Sequence, residues 1–395
     1  MMHRRDFLAR ASLAMGAALA ATPRKGLAAP AEQVPSGPSA PAVPTLPLVR
    51  ARTDRIIKIT VCLRPFRAQG PRLEVERIGS KTVVHNYGHG GSGWSLSWGS
   101  STIATQHALA TGERDYAVIG CGALGLTSAL LLQRAGRRVT IYAKERPPEV
   151  RSSFATGVWS PDSRICLEEH ATPAYGKIWN EMCRTSFRAY QNLLGLPGDP
   201  VAWYDRYALS DIPMEEARKK REAEEGPVKF GKFQDLVKDL TPAPEDLPPD
   251  AHPFGAPYVR RATTMVFNLA AYQRLLVNDF LAAGGRLETR EFFAPGDFER
   301  LPEHTIIHAT GYGARALFGD ESLTPVRGQL CLLIPQPEIT YGLSGDDVSM
   351  VPRRDGIVVQ SSKKTDFGNA DDTPDRAESE KAVLALAKLC ARMRV

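Results

Sequence analysis

A chain of 395 residues, 43% hydrophobic and 24% charged, can bury one large or two medium cores and has the balance of a soluble globular protein. No apolar run reaches the roughly 20 residues a spanning helix needs, which excludes a bundle of transmembrane helices. The net charge of +6 is mostly local: Arg4, Arg5, Arg10, Arg24 and Lys25 against Asp6 give residues 1–29 a net +4, so a nucleic-acid role, which needs a concentrated basic face, loses its main support.

In chain order, Arg4-Arg5, Phe7-Leu8, a weakly apolar stretch from Ala11 to Ala21 and small residues at 26–29 read as a twin-arginine export leader. The other reading is an amphipathic or disordered tail. Such export carries folded proteins, so a periplasmic or otherwise extracytoplasmic mature protein is expected. Residues 30–51 form a linker, Pro/Ser/Ala-rich over 30–47, and order should begin near Arg52. IIKITVCL (56–63) reads as a strand. VVHNYGHGGSGWSLSWGSS (83–101) runs from a β-like pair, Val83-Val84, into a loop with glycines at 88, 90, 91 and 93. Such a loop suits close approach of backbone to a ligand. The alternation Trp94-Ser95-Leu96-Ser97-Trp98 follows, and 101–110 could form a short helix.

Residues 116–145 are the best-resolved local unit. Tyr116 to Ile119 is a strand, GCGALG a tight turn, LTSALLLQRAG an amphipathic helix and RRVTIYAKE a second strand. Gly120 makes the turn, Gly122 lets backbone approach a pyrophosphate, and Gly125 permits tight helix–strand packing. The helix start, with Ala123 and Leu124, offers N–H donors and a positive dipole end to a phosphate. With Glu145 closing the second strand this is a dinucleotide site, and the fingerprint alone does not separate FAD from NAD.

Further helices are expected at 175–194, 214–224, 268–285 and 376–392, and strands at 329–335 and 356–362. MEEARKKREAEE reads as a solvated charged face, and residues 241–257 as a Pro-rich surface excursion. HTIIHATGYGARAL (304–317) is a strand that breaks at Thr310-Gly311, either a second backbone contact with the nucleotide or a plain strand-to-helix turn. Cysteines 62, 121, 166, 183, 331 and 390 have no metal spacing, and His85 and His89 lack ligand partners, so no metal is expected.

LRPFRAQGPRLE (63–74), the HNYGHGG block within 83–99, VIGCGALG (118–125), ATGVWSPDS (155–163), HATGYGARAL (308–317) and RGQ (327–329) together resemble the FAD-dependent D-amino-acid oxidase / D-aspartate oxidase family. The resemblance implies an α/β fold: a Rossmann-like FAD-binding domain (52–160 plus about 262–325) and a mixed-sheet α+β substrate domain (about 161–261 plus 326–395). It also answers why a ligand-hugging loop precedes the nucleotide strand. In the family the LRPxR and HNYGHGG segments come long after the fingerprint, so this sequence looks like a circular permutant joined anew at 111–115. The rival reading is an independent module over 56–110 with an accidental likeness.

The activity implied is oxidative deamination of D-amino acids with dioxygen as acceptor. The rivals are a flavin dehydrogenase using another acceptor and a flavin-binding protein with a decayed pocket. Arg64 falls on the family's carboxylate-binding arginine, and Gly91 on the glycine whose carbonyl accepts from the substrate amine. Gly90, Gly91, Ser92, Gly93, Trp94 and Ser95 would lie along the flavin; Arg151, Ser152, Thr156 and Gly157 match the segment that passes flavin and phosphates. Three departures stand out. Lys144 occupies the family's ribose-binding acid position, with Glu145 one place later. The region matching the family's substrate-side tyrosines, 345–359, has none, with Tyr341 nearby but off register; there Arg353 or Arg354 could favour an acidic substrate. Ser160 replaces a frequent glutamine.

Overall fold

Segments rich in Val, Ile, Thr and aromatic residues become strands because β-branched and ring side chains pack well on a pleated surface. The computed structural model describes residues 45–224, 228–345, 347–361 and 366–394. The leader and residues 30–44 of the linker lie outside the described residues. The elements are β1 (Ile56–Arg67), β2 (Val75–Ile78), β3 (Lys81–His85), α1 (Gly93–Leu109), β4 (Asp115–Ile119), α2 (Ala123–Arg134), β5 (Arg138–Ala143), α3 (Pro173–Gln191), β6 (Val201–Ser210) and α4 (Met214–Glu224). They continue with β7 (Glu245–Leu247), β8 (Tyr258–Phe267), α5 (Leu269–Ala282), β9 (Arg286–Thr289), β10 (Thr305–His308), α6 (Ala314–Phe318), β11 (Leu323–Leu333), β12 (Tyr341–Ser344), β13 (Val348–Arg353), β14 (Gly356–Ser361), β15 (Asp366–Phe367) and α7 (Arg376–Cys390).

Among the described residues these strands form two sheets. The smaller has the order β2-β3-β10-β4-β5-β9, parallel except for β2. The larger runs β1-β11-β14-β13-β12-β6-β8-β7, with β15 beside β11. It is antiparallel except where β12 meets β6. Strand β1 therefore sits in the larger sheet while β3, which follows it closely, sits in the nucleotide sheet. A division that puts 52–160 wholly with the nucleotide sheet is not followed by this pairing, nor is one at 262, since β8 spans it.

Helix α1 differs most from its expected form. It starts inside the glycine-rich loop, not at 101, and its first part, 94–101, is buried around its circumference. Its serines are satisfied by neighbours: Ser97 Oγ pairs with Tyr190 Oη at 2.9 Å, Ser100 Oγ donates to Asn86 Oδ1 at 2.7 Å, and Ser101 Oγ pairs with Thr127 Oγ1 at 2.8 Å. These three serines, within little more than one turn, thus lock α1 between α2 and α3, behind the loop at 88–93.

Order begins earlier than Arg52. Val49 is buried, and Tyr341 Oη donates to the Pro47 carbonyl at 2.8 Å while lying 3.7 Å from Met393 Sδ. Helix α7 covers one face of the larger sheet, where Val383 and Leu386 share an apolar cluster with Met350, Ile357 and Val359, and Ile56 packs at its edge. The other face carries Tyr204, Leu330, Leu332, Val351 and Val358. The stretch 241–257 is not wholly a surface excursion, because Phe254 is buried against Tyr207 at its end. All six cysteines are free thiols.

Candidate active site

A cavity of about 750 Å³ runs from the carboxyl ends of β4, β5 and β10 to the face of the larger sheet opposite α7. At the nucleotide end, Gly120 has φ +107°, and a Cβ there would lie 2.5 Å from the Ala309 carbonyl oxygen, so the turn from β4 into α2 requires glycine. Helix α2 has no side-chain N-cap at Gly122. Among the described residues, a side chain reaches just one N–H of its first turn, that of Ala123, 3.2 Å from Ser152 Oγ, which leaves other first-turn donors and the dipole end for an anion. Gly122, Ala123, Leu124, Arg151, Ser152, Thr156, Gly157, Thr310 and Gly311 all line the cavity. Gly125 does not; it packs against the Gly120 carbonyl, as its helix–strand role requires. Lys144 donates to Glu291 at 2.7 Å, while Glu145 also lines this end. Arg151 is paired with Asp372.

At the sheet end, Gly90, Gly91, Gly93, Trp94 and Ser95 line the wall, whereas Ser92 is fully buried with its hydroxyl on the Ser163 carbonyl at 3.1 Å. The Gly91 N–H donates to that same carbonyl at 2.9 Å, and among the described residues no donor reaches the Gly91 carbonyl. Trp94 Nε1 donates to Ser152 O at 2.8 Å, so the glycine loop and the phosphate segment are tied together. Arg64 projects from β1 into the cavity. Its guanidinium lies over Gly328 of β11, where a Cβ would come within 2.3 Å of Nη1. The glycine of the RGQ motif therefore makes room for this guanidinium. Gly328→Ala is expected to displace Arg64 while leaving the fold intact, raising KM for a carboxylate substrate by about 10- to 100-fold. Steady-state kinetics and circular dichroism on the variant check this; an unchanged KM would remove Gly328 from the site.

Several expected contributors stand elsewhere. Arg353 is bound to Asp355 and donates to the Ala155 carbonyl at 2.8 Å, and Arg354 pairs with Asp199 at 2.7 Å. Neither lines the cavity, because local carboxylates already hold them. Tyr341 faces α7, on the wrong side of the sheet. Ser160 does line the cavity, its N–H on Ser95 Oγ at 2.8 Å. Sequence reading missed Arg206 and Arg290 in the wall. Arg206 was findable from VAWYDRYALS, whose β-rich composition marks a strand.

His85, His89 and His308 are buried and hydrogen-bonded within the fold. His85 Nδ1 meets His308 Nδ1 at 3.0 Å and its Nε2 meets Glu76 at 2.9 Å. Burial, then the Arg72 charge, pushes His85 down to about 4. Burial alone pushes His89 down to about 3, with its Nε2 on Ser100 Oγ at 2.6 Å. An unfolded chain binds a proton at His89 from about pH 6.5 downward, which the folded one refuses until about pH 3. Its stabilising share is thus present above 6.5 and lost as pH falls through that window, at up to about 1.4 kcal/mol per pH unit. A His89→Gln variant is expected to lose Tm less steeply from pH 6.5 to 4 than the parent; parallel slopes would refute the linkage. Among the described residues no cluster could hold a metal ion.

A long cleft with an uncapped helix start at one end and a glycine backbone wall at the other fits a flavin dinucleotide. The likenesses to known proteins agree. The model of the FAD dependent oxidoreductase family DAO matches residues 115–394. The D-amino-acid oxidase of Streptomyces coelicolor is 25% identical over 71% of this chain and 79% of its own, and that of Rubrobacter xylanophilus 26% identical over 70% and 77%. The crystal structure of iminodiacetate oxidase from Chelativorans sp. BNC1 superposes with a TM-score of 0.50 at 15% identity, over 70% of this chain and 79% of that one. The chain therefore belongs to the DAO family of FAD-dependent oxidoreductases.

Proposed function

We propose that this protein oxidises D-amino acids, with water and dioxygen, to 2-oxo acids, ammonia and hydrogen peroxide. One observation carries the reading: an arginine without a protein partner among the described residues, Arg64, shares a cavity with an open glycine carbonyl and a dinucleotide-binding turn. FAD, when bound, supplies the acceptor for the hydride that leaves substrate Cα. Arg64 would hold the α-carboxylate through two parallel N–H···O bonds, fixing its plane. The Gly91 carbonyl would accept from the amine. With both groups fixed, only one enantiomer can point its Cα–H along the wall formed by residues 90–95. No side-chain base is required if the amine arrives neutral. His89, pushed down to about 3 by burial and with its Nε2 on Ser100 Oγ, is too weak a base to serve as one.

The test is anaerobic mixing of the purified yellow protein with panels of D- and L-amino acids, followed by a peroxide assay in air. Bleaching by D-amino acids with peroxide formation supports the proposal, and absence of bleaching by any D-amino acid overturns it. Bleaching without peroxide would assign the electrons to another acceptor. An extracytoplasmic setting is supported by Arg4-Arg5 and the apolar stretch after them. The reading includes a circularly permuted chain order. What supports it is that the family match begins at β4 while β3 pairs alongside β10 in the same sheet, and that Pro47 and Met393 meet at one tyrosine.

A further inference from the structure

We infer that the substrate carries a second carboxylate, on its side chain, and that Arg206 binds it; this rests on the amino-acid-oxidase reading above. Alternation along β6 sets Arg206 on the face of Tyr204, toward the cavity, and sends Asp205 and Tyr207 to the other face. There Asp205 accepts from Thr263 Oγ1 at 2.6 Å, and Tyr207 joins the cluster under α7. In register with Arg206 across the sheet stands Gly342. A Cβ at Gly342 would lie 2.7 Å from the Tyr204 ring and 3.5 Å from Arg206 Cγ, so the missing side chain leaves a recess for both. The Tyr204 hydroxyl is buried there with no hydrogen-bond partner among the described residues.

The charges of the wall are segregated. Its carboxylates, Glu145 and Glu291, both belong to the nucleotide end, and Glu291 is held by Lys144. Among the described residues, the sheet end presents Arg64, Arg164 and Arg206 and no carboxylate. Elsewhere the fold gives half-buried and buried arginines their own acids, as Arg67 with Asp320 and Arg353 with Asp355. Among the described residues neither Arg64 nor Arg206 has such a partner. A guanidinium drawn partly out of water without an anion is costly, and an apolar substrate filling the cavity would strip it further. A D-2-aminodicarboxylic acid supplies one carboxylate to each arginine and leaves neither unpaired.

The holoenzyme, Arg206→Gln and Arg206→Lys are compared in two measurements. The first is kcat/KM for D-aspartate and D-glutamate against D-alanine and D-norvaline. The second is titration of the flavin absorbance with succinate and with butyrate, which differ by one carboxylate and need no turnover. The parent is expected to prefer the dicarboxylic compounds. Arg206→Gln should reduce the acidic-to-neutral kcat/KM ratio and the succinate-to-butyrate affinity ratio by about 10- to 100-fold, with partial recovery in Arg206→Lys. Ratios unchanged in Arg206→Gln, or a parent that prefers neutral substrates and butyrate, would overturn the assignment. Failure of every D-amino acid to reduce the flavin would refute the oxidase reading instead, while the succinate and butyrate titration would still decide what Arg206 binds.

Discussion

Replacement of Arg64 by alanine is expected to lower kcat/KM on any D-amino acid by about 1000-fold or more while FAD stays bound. Each charge-assisted hydrogen bond to a carboxylate is worth about 1.5–3 kcal/mol, and the fork supplies two that orient as well as bind. Much of the loss should fall on kcat, because a substrate held at one point no longer fixes its Cα–H. The flavin should remain because Arg64 projects from β1 of the larger sheet, whereas the fingerprint turn belongs to the smaller one. The paired measurements are FAD content by absorbance after gel filtration and turnover per bound flavin. Loss of flavin with unchanged turnover per flavin would show that Arg64 supports the cofactor and not the substrate.

Gly120→Ala should do the reverse, abolishing stable FAD binding and lowering Tm. The alanine would have to hold φ near +107° and place its Cβ 2.5 Å from the Ala309 carbonyl oxygen. A strained φ of this kind costs about 1–3 kcal/mol, and the clash is with backbone of the adjacent strand segment, which cannot swing aside as a side chain can. Relief requires β4 and the chain after β10 to separate, which moves the start of α2. Apoprotein yield and FAD titration check this; a variant that retains full flavin content and Tm would mean the turn tolerates another conformation.

The sequence made the nucleotide half legible because its signals are local. A short strand, a glycine turn and a helix with an apolar stripe each follow from neighbours in the chain. Arg64 and Gly91 were placed by motif, and the cavity brings them together. Helix α1 was missed for a physical reason. Trp94-Ser95-Leu96-Ser97-Trp98 alternates as a strand would, and a helix whose first half is buried on every side has no stripe there to betray it. Its polar residues are paid for by partners on α2, on α3 and in the loop before it, far apart in sequence. The wall of the larger sheet was obscure for a related reason. Whether an arginine faces the cavity depends on who else claims it: Arg354 is claimed by Asp199 from far along the chain, and Arg353 by its neighbour Asp355 together with the distant Ala155 carbonyl. Arg206 is left unclaimed only in three dimensions.

The meeting of Pro47 and Met393 at the Tyr341 hydroxyl means that the folded body has its two ends within a few bond lengths of one residue. A brief Gly/Ser bridge from residue 394 to residue 46 would close the backbone into a ring. Cutting that ring at Gly112, an exposed turn residue where an added Cβ would touch nothing, would place LRPFR and HNYGHGG at the tail of the polypeptide. Both the closed loop and the re-cut chain should be yellow and active.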